Sequence, residues 1–298
     1  MIKTIIVSLI LTTCISAFTQ NKTVVFQTDF GLKDGAVSAM KGVAMGVSYD
    51  LKLYDITHEI PAYNIWEAAY RLQQTVTYWP VGTVFVSVCD PGVGTSRQSV
   101  VALTNSGHYI VTPNNGTLTL IAQSLGIKEL HQINEVTNRR KNSEKSYTFH
   151  GRDVYAYTAA KLAAGLISLN EVGNNLPLTD VVKLPYQAAT LTGSTIQGTI
   201  TILDVQYGNL WTNISDSLFA QLNPTLYDKF TITITQPGKQ LYKGIMPYTA
   251  TFGAVAQGKP LLYLNSLMHV AIALNMGSFA NVYKVVAGNN CRISISKL

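Results

Sequence analysis

Charge is scarce in this chain: only 13% of its 298 residues are Asp, Glu, Lys or Arg, against 47% apolar residues. That balance excludes intrinsic disorder, which goes with high charge and few core-forming side chains. The basic excess is small, with 22 Lys+Arg against 16 Asp+Glu and a formal charge of +6, and it is scattered, which argues against an electrostatic nucleic-acid binder. The densest basic stretch, Arg139-Arg140-Lys141, sits beside Asn142, Ser143 and Glu144 and reads as a solvated loop. Cysteine is rare at 3 residues, too few for a disulfide-dense scaffold, and no CxxC or Cys/His cluster marks a metal site. No internal repeat or low-complexity tract is present. The glycine pattern lacks the Gly-Lys-Ser/Thr of a P-loop, and no G-x-G-x-x-G opens a helix after the first strand. The length suits about two domains of ~150 residues each.

What is present begins with a distinctive N-terminus. Lys3 precedes an apolar run from Ile5 to Ala17, broken only by Ser, Thr and Cys. A positive start, an apolar segment shorter than the ~20 residues of a membrane span, and small residues at its end describe a secretory signal peptide. Residues 1–20 are read as that signal, with cleavage near Ala17 to Gln20. Leu11-Thr12-Thr13-Cys14 also faintly resembles a lipoprotein cleavage box, so a lipid-anchored form is an alternative. Export implies an oxidising, periplasmic space, yet Cys89 ends an apolar strand and reads as a buried small hydrophobe rather than a disulfide partner of Cys291.

From residue 23 apolar strands alternate with helices. Val24–Gln27, Lys52–Ile56, Thr83–Val88, Val100–Leu103 and Tyr109–Val111 read as strands, the last two joined by the turn Asn105-Ser106-Gly107. Gly35–Val47, Ile65–Thr77, Leu118–Leu125 and Val154–Leu166 read as helices. The expected fold class is α/β, with an N-terminal mostly parallel sheet flanked by helices over residues 23–180. A stretch rich in Asn, Pro, Gly and Thr follows, with a linker placed at 181–195. Thr199–Leu203, Phe230–Thr235 and Pro260–Leu264 then alternate as β-branched segments, giving a smaller, mainly β C-terminal domain over residues 196–298.

Polar residues gather where the first-domain strands end: Thr28-Asp29-Phe30-Gly31 with Asp34, Asp55-Ile56-Thr57-His58, Asp90 to Arg97, and Pro113 to Gly116. Phe149-His150-Gly151-Arg152-Asp153 precedes a helix. Ligands of open parallel sheets bind outside the carboxyl ends of the strands, so these clusters point to a site. Each has a plainer reading. Gly-rich turns are often only turns, Asp153 suits a helix N-cap, and His58 reads first as a satisfied structural histidine. His108 and His131 read as surface residues, and His269 as core or interface.

Taken together, in this order, the motifs resemble the S-adenosylmethionine hydroxide adenosyltransferase family, which also contains fluorinase and chlorinase. In the second domain Asp204-Val205-Gln206-Tyr207-Gly208-Asn209-Leu210-Trp211-Thr212-Asn213 resembles the family's adenine-side motif, and Asn265-Ser266 its late Asn-Ser pair. The likeness runs from about Val24 to about Val286. It implies cleavage of S-adenosylmethionine at the ribose C5′, with water as nucleophile in the hydroxide branch and adenosine and methionine as products. The family's Asp-Arg-His set falls on Asp90, Arg97 and His150. Asp29 and Asp34 would be substrate-binding, with Asp34 on the ribose hydroxyls, and Tyr63 would pack beside the sugar. Asp204 and Asn209 would contact the methionine and adenine portions, with Ser266 nearby. The leaving group is a neutral thioether, and the resemblance implies no metal and no redox cofactor.

The same positions separate branches of the family. Halide-using relatives carry a Tyr and a Ser where this chain has His150 and Gly151, and a Tyr in place of Asp90. A carboxylate repels a halide, so the resemblance implies the water-using branch. Two departures stand out: Leu267-Met268-His269 follows the Asn-Ser pair where Arg is usual, and Asn114-Asn115 replaces the usual Asp-Asn. The family likeness further implies a homotrimer with sites at subunit interfaces. Because S-adenosylmethionine is made in the cytoplasm, an exported protein that binds it or a nucleoside with little turnover is the alternative to an enzyme.

Overall fold

The computed structural model describes residues 21–298, and the predicted signal peptide lies outside the described residues. The chain divides into two compact units that meet between Lys183 and Leu184. Within the stretch predicted as a linker, Thr190–Thr192 forms a strand of the second unit.

The first unit is built on a seven-stranded sheet. Its strands are β1 (Thr23–Thr28), β2 (Lys52–Thr57), β3 (Val84–Val88), β4 (Ser99–Thr104), β5 (Tyr109–Pro113), β6 (Ile127–Gln132) and β7 (Asn175–Leu176). Their spatial order is β2-β1-β3-β5-β4-β6-β7. β2, β1, β3 and β5 run parallel, whereas β5-β4, β4-β6 and β6-β7 pair antiparallel. The sheet is therefore mixed, with the expected parallel strands extended by antiparallel ones. The turn at Asn105 to Gly107 is the cause, because a tight hairpin can join only antiparallel neighbours, while parallel ones need a long crossover.

Helices α1 (Ala36–Val47), α2 (Ile65–Val76), α3 (Thr119–Ser124), α4 (Tyr157–Ala163) and α5 (Leu169–Val172) belong to this unit. Alternate residues of β1 serve opposite faces of the sheet. Val24 and Phe26 join a core with Met40 and Ala44 of α1 and Ala159, Ala160 and Ala163 of α4. Val25 joins a second core with Leu72 and Val76 of α2 and Ile121 of α3. Two-sided burial explains why β1, β3, β4 and β5 read as continuous apolar runs. Helix α2 starts at Asn64, whose Oδ1 accepts from Glu67 N at 3.0 Å.

Two histidines read as surface residues are buried instead. His108 Nε2 lies 2.9 Å from Trp79 O and its Nδ1 3.0 Å from Ser106 Oγ. His131 Nδ1 lies 3.2 Å from Gly173 O, and its Nε2 is 3.3 Å from Glu129 Oε2. Both imidazoles satisfy neighbouring polar groups, which lets them sit inside.

The second unit contains β8 (Thr190–Thr192), β9 (Thr195–Asp204), β10 (Asn209–Ser215), β11 (Lys229–Gln236), β12 (Lys239–Pro247), β13 (Pro260–Leu264), β14 (His269–Leu274) and β15 (Arg292–Lys297). The order is β12-β11-β15-β9-β10-β14-β13, with β8 added on β9. Every pairing is antiparallel. Short helices α6 (Asp216–Phe219) and α7 (Phe279–Tyr283) cover it. Phe230, Ile232 and Ile234 of β11 point into the core with Ile293 and Ile295, while the intervening threonines face outward. This is the alternation that made the segment legible as a strand.

Candidate active site

The loop leaving β3 carries Asp90 and turns back toward β4, with Val93 N donating to Asp90 O at 3.2 Å and Thr95 N to Gly92 O at 3.1 Å. Gly94 has φ +76°, and a Cβ there would lie 3.0 Å from Tyr147 O, so glycine lets this loop close on the segment leading to His150. The turn folds Arg97 onto Asp90. Its Nε donates to Oδ1 at 2.9 Å and its Nη2 to Oδ2 at 2.6 Å, a bidentate pair with side chains only 11% and 4% exposed. Burial alone would lower the Arg97 guanidinium, yet the Tyr155 and Asp90 oxygens hold it above its ordinary value.

From this pair a chain of polar contacts runs to His150. Arg97 Nη1 donates to Ser99 Oγ at 2.8 Å, and Ser99 Oγ donates to Glu135 Oε1 at 2.9 Å. Tyr155 Oη lies 3.2 Å from Ser99 Oγ and donates to Asp90 Oδ2 at 3.3 Å. Glu135 Oε2 receives Arg139 Nη2 at 3.1 Å and stands 3.2 Å from His150 Nε2. Burial would raise this carboxyl, but the contacts from His150, Ser99 and Arg139 bring it down to about 2. His150 is 3% exposed, and its Nδ1 has no hydrogen-bond partner among the described residues. Asp90 and Arg97 thus touch each other, while the polar link from His150 to them runs through Glu135 and Ser99. A polar recess of about 380 Å3 borders the chain, lined by Arg97, Ser99, Gln132, Asn134 and Glu135 among others.

Sequence reasoning missed Ser99, Glu135, Arg139 and Tyr155. The basic run read as a solvated loop holds a buried member: Arg139 is 7% exposed, pairs with Glu135 and stacks over Tyr147 at 4.9 Å from the ring centroid. The Glu135–Arg139 i,i+4 spacing was the available signal. Arg140 leaves the loop too, its Nε donating to Asp153 Oδ1 at 2.9 Å. Asp153 is not an N-cap. It is fully buried inside a π-helical turn, Gly151–Ala156, where Arg152 also pairs with it, and α4 follows directly. The predicted helix at Val154 therefore begins earlier, and His150 immediately precedes the π turn.

The other first-unit residues sit at the ends of β1 and β2. Asp29 Oδ2 accepts from Tyr63 N at 2.9 Å and from Cys89 Sγ at 3.5 Å. Tyr63 is 74% exposed with φ +68°, so the Asp29 carboxylate holds a strained backbone that presents an aromatic ring to solvent. Asp34 is exposed, with Oδ1 accepting from Ala36 N at 2.8 Å at the start of α1. His58 is structural: its Nδ1 meets Thr28 Oγ1 at 2.9 Å and its Nε2 lies 3.1 Å from Asp55 Oδ1.

In the second unit the β9–β10 hairpin brings Asp204 and Asn209 together, Asn209 Nδ2 donating to Asp204 Oδ2 at 3.1 Å. Gly208 permits this turn, because a Cβ at its φ of +69° would strike Ser278 Oγ. Asn209 lines a cavity of about 670 Å3 with Tyr207, Phe252, Leu274, Met276 and Ser278. Two aromatic rings, apolar walls and an amide suit a flat heterocycle. Ser266 is exposed in the turn between β13 and β14 and does not line that cavity. Asn265 shapes the turn, its Oδ1 accepting from Leu267 N and His269 N at 3.0 Å each. His269 is half-buried, its Nδ1 lying 2.8 Å from Leu267 O.

Residues 24–173 match the family described as SAM hydroxide adenosyltransferase N-terminal domain, and residues 198–292 match its C-terminal domain. An (R)-S-adenosyl-L-methionine hydrolase of Salinispora tropica is 33% identical over 270 residues, covering 90% of this chain and 96% of that protein. A fluorinase of Actinoplanes sp. is 29% identical over 297 residues, covering 90% of this chain and 96% of that one. Among solved structures, an uncharacterized conserved protein from Thermotoga maritima is similar with a TM-score of 0.83 and 32% identity, covering 92% of this chain and 99% of that one. With family matches over both units, this chain belongs to the SAM hydroxide adenosyltransferase family.

Proposed function

We propose that this protein hydrolyses S-adenosylmethionine to adenosine and L-methionine. The observation that carries the reading is His150, buried with one ring nitrogen on Glu135 and the other, Nδ1, without a protein partner. In the substrate complex a water reaches Nδ1, which is closed to solvent in the free protein, and attacks the ribose C5′ from the side opposite the sulfonium. The new O–C5′ bond forms as the C5′–S bond breaks, its electron pair neutralises the sulfur, and the water proton passes to Nδ1. The departing thioether needs no acid. Asp90 and Arg97 contribute a fixed, neutralised pair whose donors stay in place through the reaction, so charge developing on the water meets preorganised dipoles. Asp29 positions Tyr63 beside the sugar, and Asp34 takes the ribose hydroxyls. In the second unit Asn209 and Asp204 serve the adenine and methionine portions, with Ser266 nearby.

Two features favour water over halide. The Asp90 carboxylate, with both oxygens taken by Arg97, offers a halide no hydrogen-bond donor. At Gly151 a Cβ would lie 3.2 Å from Phe30 ring carbons, so the serine of halide-using relatives would have to displace Phe30. A homotrimer, in which neighbouring subunits complete each site, is part of this proposal, as is export directed by residues 1–20. The apolar run after Lys3 supports export.

The test is incubation of the purified protein with S-adenosylmethionine in halide-free buffer, with chromatography of the products and light scattering for assembly. Equal amounts of adenosine and methionine are expected. General-base loss in His150→Ala should lower kcat by about 100- to 10,000-fold. Saturable binding without product would overturn the hydrolase reading in favour of a binding protein.

A further inference from the structure

Two groups make opposite demands on one nitrogen. His150 Nε2 lies 3.2 Å from Glu135 Oε2 and 3.3 Å from Arg139 Nη2. An ionised carboxylate only accepts hydrogen bonds, so contact with Glu135 requires a proton on Nε2. A guanidinium only donates, so a bond from Arg139 requires Nε2 to be bare. The neutral ring can satisfy one of them, and the choice decides whether Nδ1 holds a lone pair or a proton.

The surroundings favour Glu135. Arg139 already has Glu135 Oε2 at 3.1 Å, and its Nη1 reaches Ser146 O at 3.3 Å, so it needs nothing from the ring. Glu135 is fixed from the far side by Ser99, itself tied to Arg97. The remaining groups facing the imidazole are the Tyr147 and Tyr155 rings, 6.2 and 6.5 Å away between centroids, with Asp90 beyond Tyr155. Neither ring competes for Nε2.

We infer that Glu135 is a positioning residue that places the proton of neutral His150 on Nε2, keeps Nδ1 as the free base, and stabilises the imidazolium once Nδ1 has taken the water proton. Arg139 holds the carboxylate in place and is the competitor that would reverse the tautomer if Glu135 were lost. The catalytic role of His150 rests on the hydrolase reading above, whereas the tautomer does not.

The test therefore has two parts. The ring nitrogens of His150 are observed by long-range proton–nitrogen NMR in the free wild-type protein, assigned with His150→Ala. A protonated Nε2 and bare Nδ1 in the neutral ring are expected, and a protonated Nδ1 overturns the inference whether or not S-adenosylmethionine is cleaved. In parallel, Glu135→Gln is assayed across pH. Losing the carboxylate should move the acid limb of kcat/KM downward by about one pH unit. It should also lower kcat at least tenfold, with KM within about threefold, and Glu135→Asp should recover part of the loss. An unmoved limb with unchanged kcat also overturns the inference, and the wild-type spectrum decides it if Glu135→Gln does not fold.

Discussion

Removing the charge of Asp90 should destabilise the first unit more than most single substitutions. Asp90 accepts from Arg97 Nε at 2.9 Å, Arg97 Nη2 at 2.6 Å and Tyr155 Oη at 3.3 Å. In Asp90→Asn the amide nitrogen faces a guanidinium nitrogen, so one of the two Arg97 bonds becomes a repulsive contact. Each charge-assisted bond is worth about 1.5–3 kcal/mol, and breaking one side of a buried ion pair costs about 3–5 kcal/mol. With the side chains 4% and 11% exposed, solvent rescues little, and about 3 kcal/mol is expected. For a unit of this size that corresponds to a fall of roughly 6–12 °C in the melting transition. Differential scanning calorimetry should see it, with the second unit's transition as an internal reference. The double variant Asp90→Leu/Arg97→Met supplies the control. Apolar replacement of a whole buried pair is often neutral, so stability should return to within about 2 kcal/mol while hydrolysis does not. A melting shift under 2 °C in Asp90→Asn would refute the view that this pair is buried and mutually dependent.

Acid should act through Glu135. Its carboxyl falls from 4.5 to about 2 on folding, so its contribution is present above the unfolded value and is lost as pH drops through about 2. Discounted for partial exposure, the loss should be about 2 kcal/mol in urea titrations between pH 5 and 2, and Glu135→Gln should flatten that slope. Gly94→Ala forces a side chain into φ +76° beside Tyr147 O and should cost about 1–2 kcal/mol in urea unfolding; a neutral result would mean that the loop can move away from Tyr147. Burial pushes the Cys89 thiol far up, with Asp29 adding to the effect, and raises Cys291 to about 11. Both should resist an aromatic disulfide reagent at pH 8 until denaturant is added, and fast labelling of the native protein would contradict their burial.

Legibility in the sequence followed periodicity. The strands buried on both faces and the long helices α1 and α2 carried strong patterns and appeared within a few residues of their predicted bounds. Strand β6 was silent because Ile127–Gln132 mixes Lys, Glu and His with its apolar residues, and His131 is buried against the distant Gly173, a contact that no period reveals. Proximity within the candidate site was legible where residues lie in one contiguous motif, as with Asp90 and Arg97, which the structure brings into contact. The link from that pair to His150 was not, since Ser99, Glu135 and Tyr155 come from three separate segments that only the sheet assembles. Arg139 was misread for a related reason: a charge run looks solvated until a buried carboxylate is found facing one member of it.

The π turn between His150 and α4 makes the site sensitive to counting. In an α-helix each residue is rotated by about 100° from the last, so positions i and i+5 point about 140° apart. In a π turn the i→i+5 bond brings such positions over one another. His150 and Tyr155 stand in that relation, with ring centroids 6.5 Å apart, and both reach the Asp90–Glu135 chain. Winding the same residues into α register would point Tyr155 about 140° away from His150 while leaving every amino acid unchanged. Along this stretch the number of residues per turn is as much a part of the candidate site as their identity.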